Sequence, residues 1–184
     1  MPSALVLLAE GFEEIETAAI VDVLRRAEVE VVLVGLEGDH PVTGSREMVF
    51  VPDVGFDDSH RNVDAVVLPG GSQGAERLAG DARVRALLRD QTDSGRLVAA
   101  ICAAPIALDE AGVLPENGFT CYPGVEARIR TQGRQHAKVV ESGSIITSQG
   151  PGTALDFALT LVAHLCGRAR AVEVGRDLLH PLRD

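Results

Sequence analysis

The sequence predicts a doubly wound α/β fold with a mostly parallel sheet, on three observations. Short apolar runs rich in Val, Leu and Ile recur along the chain, most of them closing on Gly, Pro or Ser. They are near-continuously apolar, as strands covered on both faces must be. Segments with helical apolar spacing lie between several of them, and strand–helix alternation is how a parallel sheet is assembled.

The first strand covers residues 4–8. Ile15, Ala19, Val23 and Leu24 mark the apolar stripe of the first helix. Residues 29–34 form the second strand. Residues 48–52, after the turn-like Thr43-Gly44-Ser45, form a hairpin or an edge excursion. A strand at 65–68 ends on Pro69-Gly70-Gly71, and Val84, Leu87 and Leu88 mark a helix. The strand 97–101 runs into Cys102, with Pro105 suited to a first helical turn. Residues 118–123 read as a short strand on the far side, and 144–147 as the last buried strand. Thr153 as N-cap, with Asp156 in a capping-box role, opens a final helix through Leu155, Ala158, Leu159 and Val162 before Cys166-Gly167. No linker or repeat interrupts the pattern, so residues 1–184 read as one domain.

Composition narrows the partners. The chain has 27 Asp+Glu against 17 Lys+Arg, a formal charge of −10, and 46% hydrophobic residues. Nucleic acid is an unlikely main partner, because phosphate binding draws on clustered Lys and Arg. Anionic membranes are disfavoured for the same reason, and no apolar run approaches the roughly 20 residues of a membrane span. The N-terminus lacks the basic region of a signal peptide. Cys102, Cys121 and Cys166 are odd in number and form no CxxC, so a reducing compartment, the cytoplasm, is expected. His40, His60, His136, His164 and His180 show no ligand spacing, and metal binding is not expected.

In a doubly wound sheet, ligands bind outside the carboxyl ends of the strands where the strand order reverses. Those ends deliver residues 10–16, Pro69-Gly70-Gly71, Cys102-Ala103-Ala104-Pro105 and the segment 148–153. Cys102 sits at a strand-to-helix turn like a nucleophile elbow, where a helix N-terminus favours thiolate. The alternative is a core cysteine, since free Cys is among the most buried residue types. Gly70 and Gly71 let backbone N–H groups approach a ligand, as an oxyanion hole needs, or simply make a tight turn. Glu13, Glu14 and Glu16 read by default as solvated acids at a helix start. Glu16 alone is placed to turn toward the strand ends, and beside a thiolate it makes sense only as a protonated donor or a proton carrier.

Taken together, residues 5–17, 66–71, 99–105 and 147–153 resemble the ThiJ/PfpI superfamily, in the branch of the parkinsonism-associated deglycase. The resemblance implies a flavodoxin-like three-layer sandwich, a homodimer, and a strained elbow cysteine at Cys102 hydrogen-bonded by Glu16. It implies an oxyanion site at the N–H groups of Gly71 and Ala103, and a pocket wall at Cys121 and Tyr122. Tyr122 stands where several members place a histidine, and Ala103 stands where the peptidase branch has one, so a protease is not expected. Two functions follow from the resemblance. One is cofactor-free glyoxalase or deglycase chemistry on a small dicarbonyl substrate such as methylglyoxal or its early adducts, with Cys102 as nucleophile and Glu16 as proton shuttle. The other is an oxidative-stress sensor and holdase chaperone acting through Cys102 sulfinate.

Overall fold

The computed structural model describes residues 1–57 and 62–180. Its strands and helices run in chain order β1 (Ser3–Leu8), α1 (Glu14–Arg26), β2 (Glu30–Gly35), β3 (Val42–Thr43), β4 (Val49–Phe50), β5 (Val54–Gly55) and β6 (Ala65–Leu68). There follow α2 (Ser72–Gly80), α3 (Ala82–Asp93), β7 (Leu97–Ile101), α4 (Pro105–Ala111), β8 (Val139–Ser142), β9 (Ile145–Ser148), α5 (Ala154–Cys166) and α6 (Arg168–Asp177). Seven strands make one sheet in the order β5-β2-β1-β6-β7-β9-β8, with every pairing parallel except β8 with β9. The order reverses between β1 and β6, and that reversal fixes where a ligand crevice opens.

Side-chain alternation along each strand divides the core in two. Ala4, Val6 and Leu8 of β1 pack with Ile20, Val23 and Leu24 of α1, Phe157 and Leu161 of α5 and Val174 of α6. Leu5 and Leu7 pack on the other face with Leu78 of α2, Leu87 and Leu88 of α3 and Leu108 of α4. This is the three-layer α/β sandwich that the sequence predicts. Covered on both faces, the strands carry no polar stripe, which explains their continuous apolar runs.

Several expectations need correction. Residues 118–123 do not form a strand. Phe119 and Cys121 are fully buried beneath α4, which makes the run apolar, but its one ladder contact is a bridge from Phe119 to Arg134. The far edge is β8, whose exposed Glu141 breaks any apolar run. The stripe of α1 is displaced from Ile15, which is 62% exposed, to Glu16, Ile20, Val23 and Leu24. The Thr153–Asp156 capping box is absent. A 3-10 turn, Pro151–Thr153, precedes α5, Thr153 makes no side-chain cap bond to it, and Asp156 instead binds Lys138 at 2.9 Å and His180 at 3.0 Å. The hairpin around 48–52 does form, as β3 with β4. No helix among the described residues is long and apolar enough to cross a membrane. His60 lies outside the described residues, and among those described no cluster of His, Cys, Asp and Glu is arranged to hold a metal ion.

The long segment between α4 and β8 is tied down by Asp109, which is 5% exposed. Its carboxylate accepts the N–H of Arg130 at 3.1 Å, the N–H of Thr131 at 3.0 Å and the Thr131 hydroxyl at 2.6 Å. Burial alone would raise its pKa, but these donors outweigh it and hold the carboxyl below its ordinary range. Asp109→Asn should lower stability by about 2 kcal/mol, read as a fall in the denaturant midpoint with the m-value unchanged.

Candidate active site

Cys102 occupies the turn between β7 and α4 with φ 65°, a left-handed conformation that costs a non-glycine residue on the order of 1–2 kcal/mol. The surroundings hold it there. Its N–H donates to Ser148 O at 3.0 Å, its carbonyl accepts the Tyr122 N–H at 2.9 Å, and Ala104 N–H closes back on Ile101 O at 3.0 Å. Buried alanines at 99, 100, 103 and 104 leave room for so sharp a reversal.

Two loops close on the elbow. A Cβ at Gly70 would lie 2.6 Å from Cys102 Cβ and 2.7 Å from Glu16 Oε2, so only glycine lets β6 end there. Gly71, at φ 86°, sits against the backbone of Gly11, Phe12 and Glu13 and opens α2. From the first loop comes Glu16, one turn into α1. Glu13 caps that helix, its Oε2 accepting the Glu16 N–H at 2.8 Å. Glu16 is wholly buried, Gly70 N–H donates to its Oε2 at 2.7 Å, and its Oε1 has no partner.

A carboxyl with one bare buried oxygen is poorly built to hold a charge. Burial is the main cause that pushes Glu16 up to about 8; the Gly70 N–H works against it and the charge on Glu13 adds to it. At neutral pH Glu16 therefore keeps its proton. Burial also pushes the Cys102 thiol up to about 12, with repulsion from Glu16 next, partly offset by the Gly71 and Ala103 N–H groups. This corrects the expectation of an acidic resting thiol. α4 has only seven residues, and loss of water outweighs its dipole. A charged Glu16 opposes ionisation of the Cys102 thiol, so the two groups are coupled in their titration. Cys121 is pushed up to about 11 and Cys166 is also raised, each chiefly by burial.

Cys102 opens into a cavity of about 560 Å³ lined also by Gly71, Ala103, Tyr122 and the start of α2 at Ser72 and Gln73. Tyr122 is half exposed, and its ring fills the space that a Cβ on Gly150 would need beside the Cys102 sulfur. Cys121, expected on the pocket wall, is instead fully buried in the opposite core layer and does not line the cavity.

The sequence reading missed the other wall. The β3–β4 hairpin supplies Thr43, Gly44, Ser45 and Arg46. Glu14, read as a solvated acid, is 3% exposed and clamps that hairpin: it accepts the Arg46 N–H and, at 3.1 Å, the Ser45 hydroxyl. Burial works to raise its pKa, and these donors overcome it and leave Glu14 below the ordinary carboxylate range. The one local signal was Gly44, where any side chain would collide with Glu14.

Comparison with known proteins matches the DJ-1/PfpI family over residues 2–164. The chain belongs to that family. This DJ-1/PfpI member is 41% identical over 181 residues to the Parkinson disease protein 7 homolog of Danio rerio, covering 96% of each chain. It is 38% identical over 184 residues to the glutathione-independent glyoxalase DJR-1.2 of Caenorhabditis elegans, covering 98% of this chain and 95% of that one. The crystal structure of Drosophila melanogaster DJ-1beta superposes on it with a TM-score of 0.95 at 40% identity, over 98% of this chain and 99% of that one.

The raised Glu16 gives this DJ-1/PfpI chain a measurable pH signature. Below pH 4.5 the carboxyl is protonated folded or unfolded; between 4.5 and about 8 only the unfolded chain ionises. Stability contributed by the buried neutral acid is therefore full below 4.5 and lost as pH rises through about 8, a change of a few kcal/mol. Denaturation of Glu16→Gln from pH 5 to 9 should show that slope flattened, with the variant gaining on wild type at pH 8.5.

Proposed function

We propose that the chain is a cofactor-free glyoxalase acting on methylglyoxal-class 2-oxoaldehydes or their early adducts. One observation carries this reading: a buried carboxyl that keeps its proton at neutral pH adjoins a cysteine sulfur faced by the Gly71 and Ala103 N–H groups, at the edge of an open cavity. The name of the Caenorhabditis elegans relative supports it.

The thiol of Cys102 adds to the aldehyde carbon as its proton passes, through Glu16, to the aldehyde oxygen, giving a hemithioacetal. N–H groups of Gly71 and Ala103 stabilise the negative charge that develops on that oxygen. Glu16 then takes the proton from the former aldehyde carbon and returns it to the neighbouring ketone carbon, while the hydroxyl proton of the hemithioacetal passes to the former ketone oxygen, leaving the thioester of a 2-hydroxy acid. Water hydrolyses the thioester to the 2-hydroxy acid and frees the thiol. A group with a pKa near 8 suits both halves of that transfer. Every atom is accounted for without metal, nucleotide or glutathione.

The same donors would also hold a sulfinate on Cys102, the basis of the stress-sensor reading. Confinement of Cys121 to the opposite core layer favours it, because no second thiol lines the cavity to divert oxidation into a disulfide. Three free cysteines fit the cytoplasm under either reading. A homodimer is part of the proposal: Ile15, Met48, Val49 and Val51 are each more than half exposed at the start of α1 and on the hairpin strand, where a second copy would cover them.

Purified protein should convert methylglyoxal to lactate; Cys102→Ser should form no adduct, and Glu16→Gln should form the hemithioacetal slowly, with water in place of Glu16 carrying the thiol proton, and lose lactate formation by at least about 100-fold. Native mass spectrometry in the presence of methylglyoxal, which retains the reversible adduct, separates the two defects, and lactate from either variant at the wild-type rate would overturn the mechanism. Sedimentation at micromolar concentration should give a dimer that Val49→Asp with Val51→Asp converts to monomer.

A further inference from the structure

The cavity is far larger than a three-carbon dicarbonyl needs, and its lining is uneven in charge. Among the described residues Arg46 is its only basic lining residue. The backbone that delivers Arg46 is anchored, with its own N–H and the Ser45 hydroxyl on Glu14 and the Ser45 N–H on Phe12 O at 2.7 Å. The guanidinium donates to the neighbouring Ser45 carbonyl at 2.9 Å and makes no ion pair among the described residues, in a chain with 27 Asp and Glu. Ser72 and Gln73, at the N-terminus of the nine-residue α2, line the same cavity, and that first turn contains no acid. Of the two lining carboxylates, Glu10 accepts the Thr43 N–H at 3.0 Å and Glu13 caps α1, so backbone donors compensate part of each charge.

We propose that the site selects 2-oxoaldehydes bearing a carboxylate at the end remote from the dicarbonyl, with Arg46 binding that carboxylate. The proposal rests on the glyoxalase reading of the same cavity. A guanidinium without an acid partner, beside oriented N–H groups, is a carboxylate receptor. A single negative charge suits it better than a phosphate dianion, because Glu10 and Glu13 add repulsion with each further charge. For 4,5-dioxopentanoate the steps balance as for methylglyoxal: Cys102 adds to the aldehyde carbon, one proton moves from that carbon to its ketone neighbour and the hydroxyl proton moves to the former ketone oxygen, and water releases 2-hydroxyglutarate with the thiol restored.

Two measurements test this. The first needs no turnover: Cys102 alkylation by iodoacetate and by iodoacetamide is followed by peptide mass in wild type, Arg46→Gln and Arg46→Lys. Ordinary thiolates favour iodoacetamide. The wild type should favour iodoacetate, Arg46→Gln should lower the iodoacetate-to-iodoacetamide ratio about tenfold, and Arg46→Lys should restore part of it. The second compares kcat/KM for 4,5-dioxopentanoate and the neutral 2-oxopentanal, whose ratio should fall similarly in Arg46→Gln. An alkylation ratio that favours iodoacetamide and does not change with Arg46 overturns the proposal. Absence of hydroxy acid from both oxoaldehydes, with the alkylation preference intact, overturns the glyoxalase reading and leaves carboxylate recognition by Arg46 standing.

Discussion

The hydrogen bond from Gly70 N–H to the buried Glu16 carboxyl is the constraint on which the site depends. It joins the end of β6 to the first turn of α1 across the reversal in strand order, and it leaves no volume for a side chain at residue 70. With one backbone donor, the neighbouring Cys102 thiol and no partner on Oε1, the carboxyl is better supported neutral than charged. A second donor to Oε1 would strengthen the structure and remove the proton that the chemistry needs. The incomplete satisfaction of this one group is a cost to stability of the sort that functional sites carry.

Three acids within four residues show how strictly environment decides a carboxyl's role. Glu13 remains part-exposed and caps α1. Glu14 is buried among backbone donors and is held ionised, which makes it an anchor for the β3–β4 hairpin. Glu16 is buried with a single donor and is held neutral. Helical geometry separates them: consecutive positions turn by about 100°, so neighbours in sequence face the cap, the hairpin and the elbow. No substitution among the three is conservative, although the residue type is the same.

What the sequence made legible follows from range. Strands covered on both faces carry their signal locally, and so do an elbow of alanines and the paired glycines 70 and 71; these were readable. α2 was not, because Gly74 and Gly80 depress its helical propensity. Gly74 is there for contact, since a Cβ would sit 3.0 Å from the Phe12 backbone. α6 buries only Ala171, Val174 and Gly175, too few to mark a stripe. The clamp between Glu14 and Arg46 spans 32 residues and joins a charged side chain to a backbone N–H, which no pattern of side-chain types reports. Thiol acidity failed for a related reason: a helix start is visible in sequence, whereas the degree of burial that opposes it emerges only from packing.

The absence of an imidazole beside Cys102 bears on how the proton must travel. Tyr122 holds that position, its ring against Gly150, and its phenol offers a hydrogen-bond donor in place of an imidazole. Among the described residues no histidine lines the cavity. In the proposed glyoxalase reaction, withdrawal of a proton from carbon therefore falls to Glu16, which must ionise before it can act as a base and be protonated before it can serve as an acid. Only a group poised close to working pH does both with comparable frequency. Under the proposed mechanism, the burial that raises Glu16 does the work that a histidine would otherwise do, and it requires the Cys102–Glu16 pair to exchange one proton between them instead of drawing on a third group.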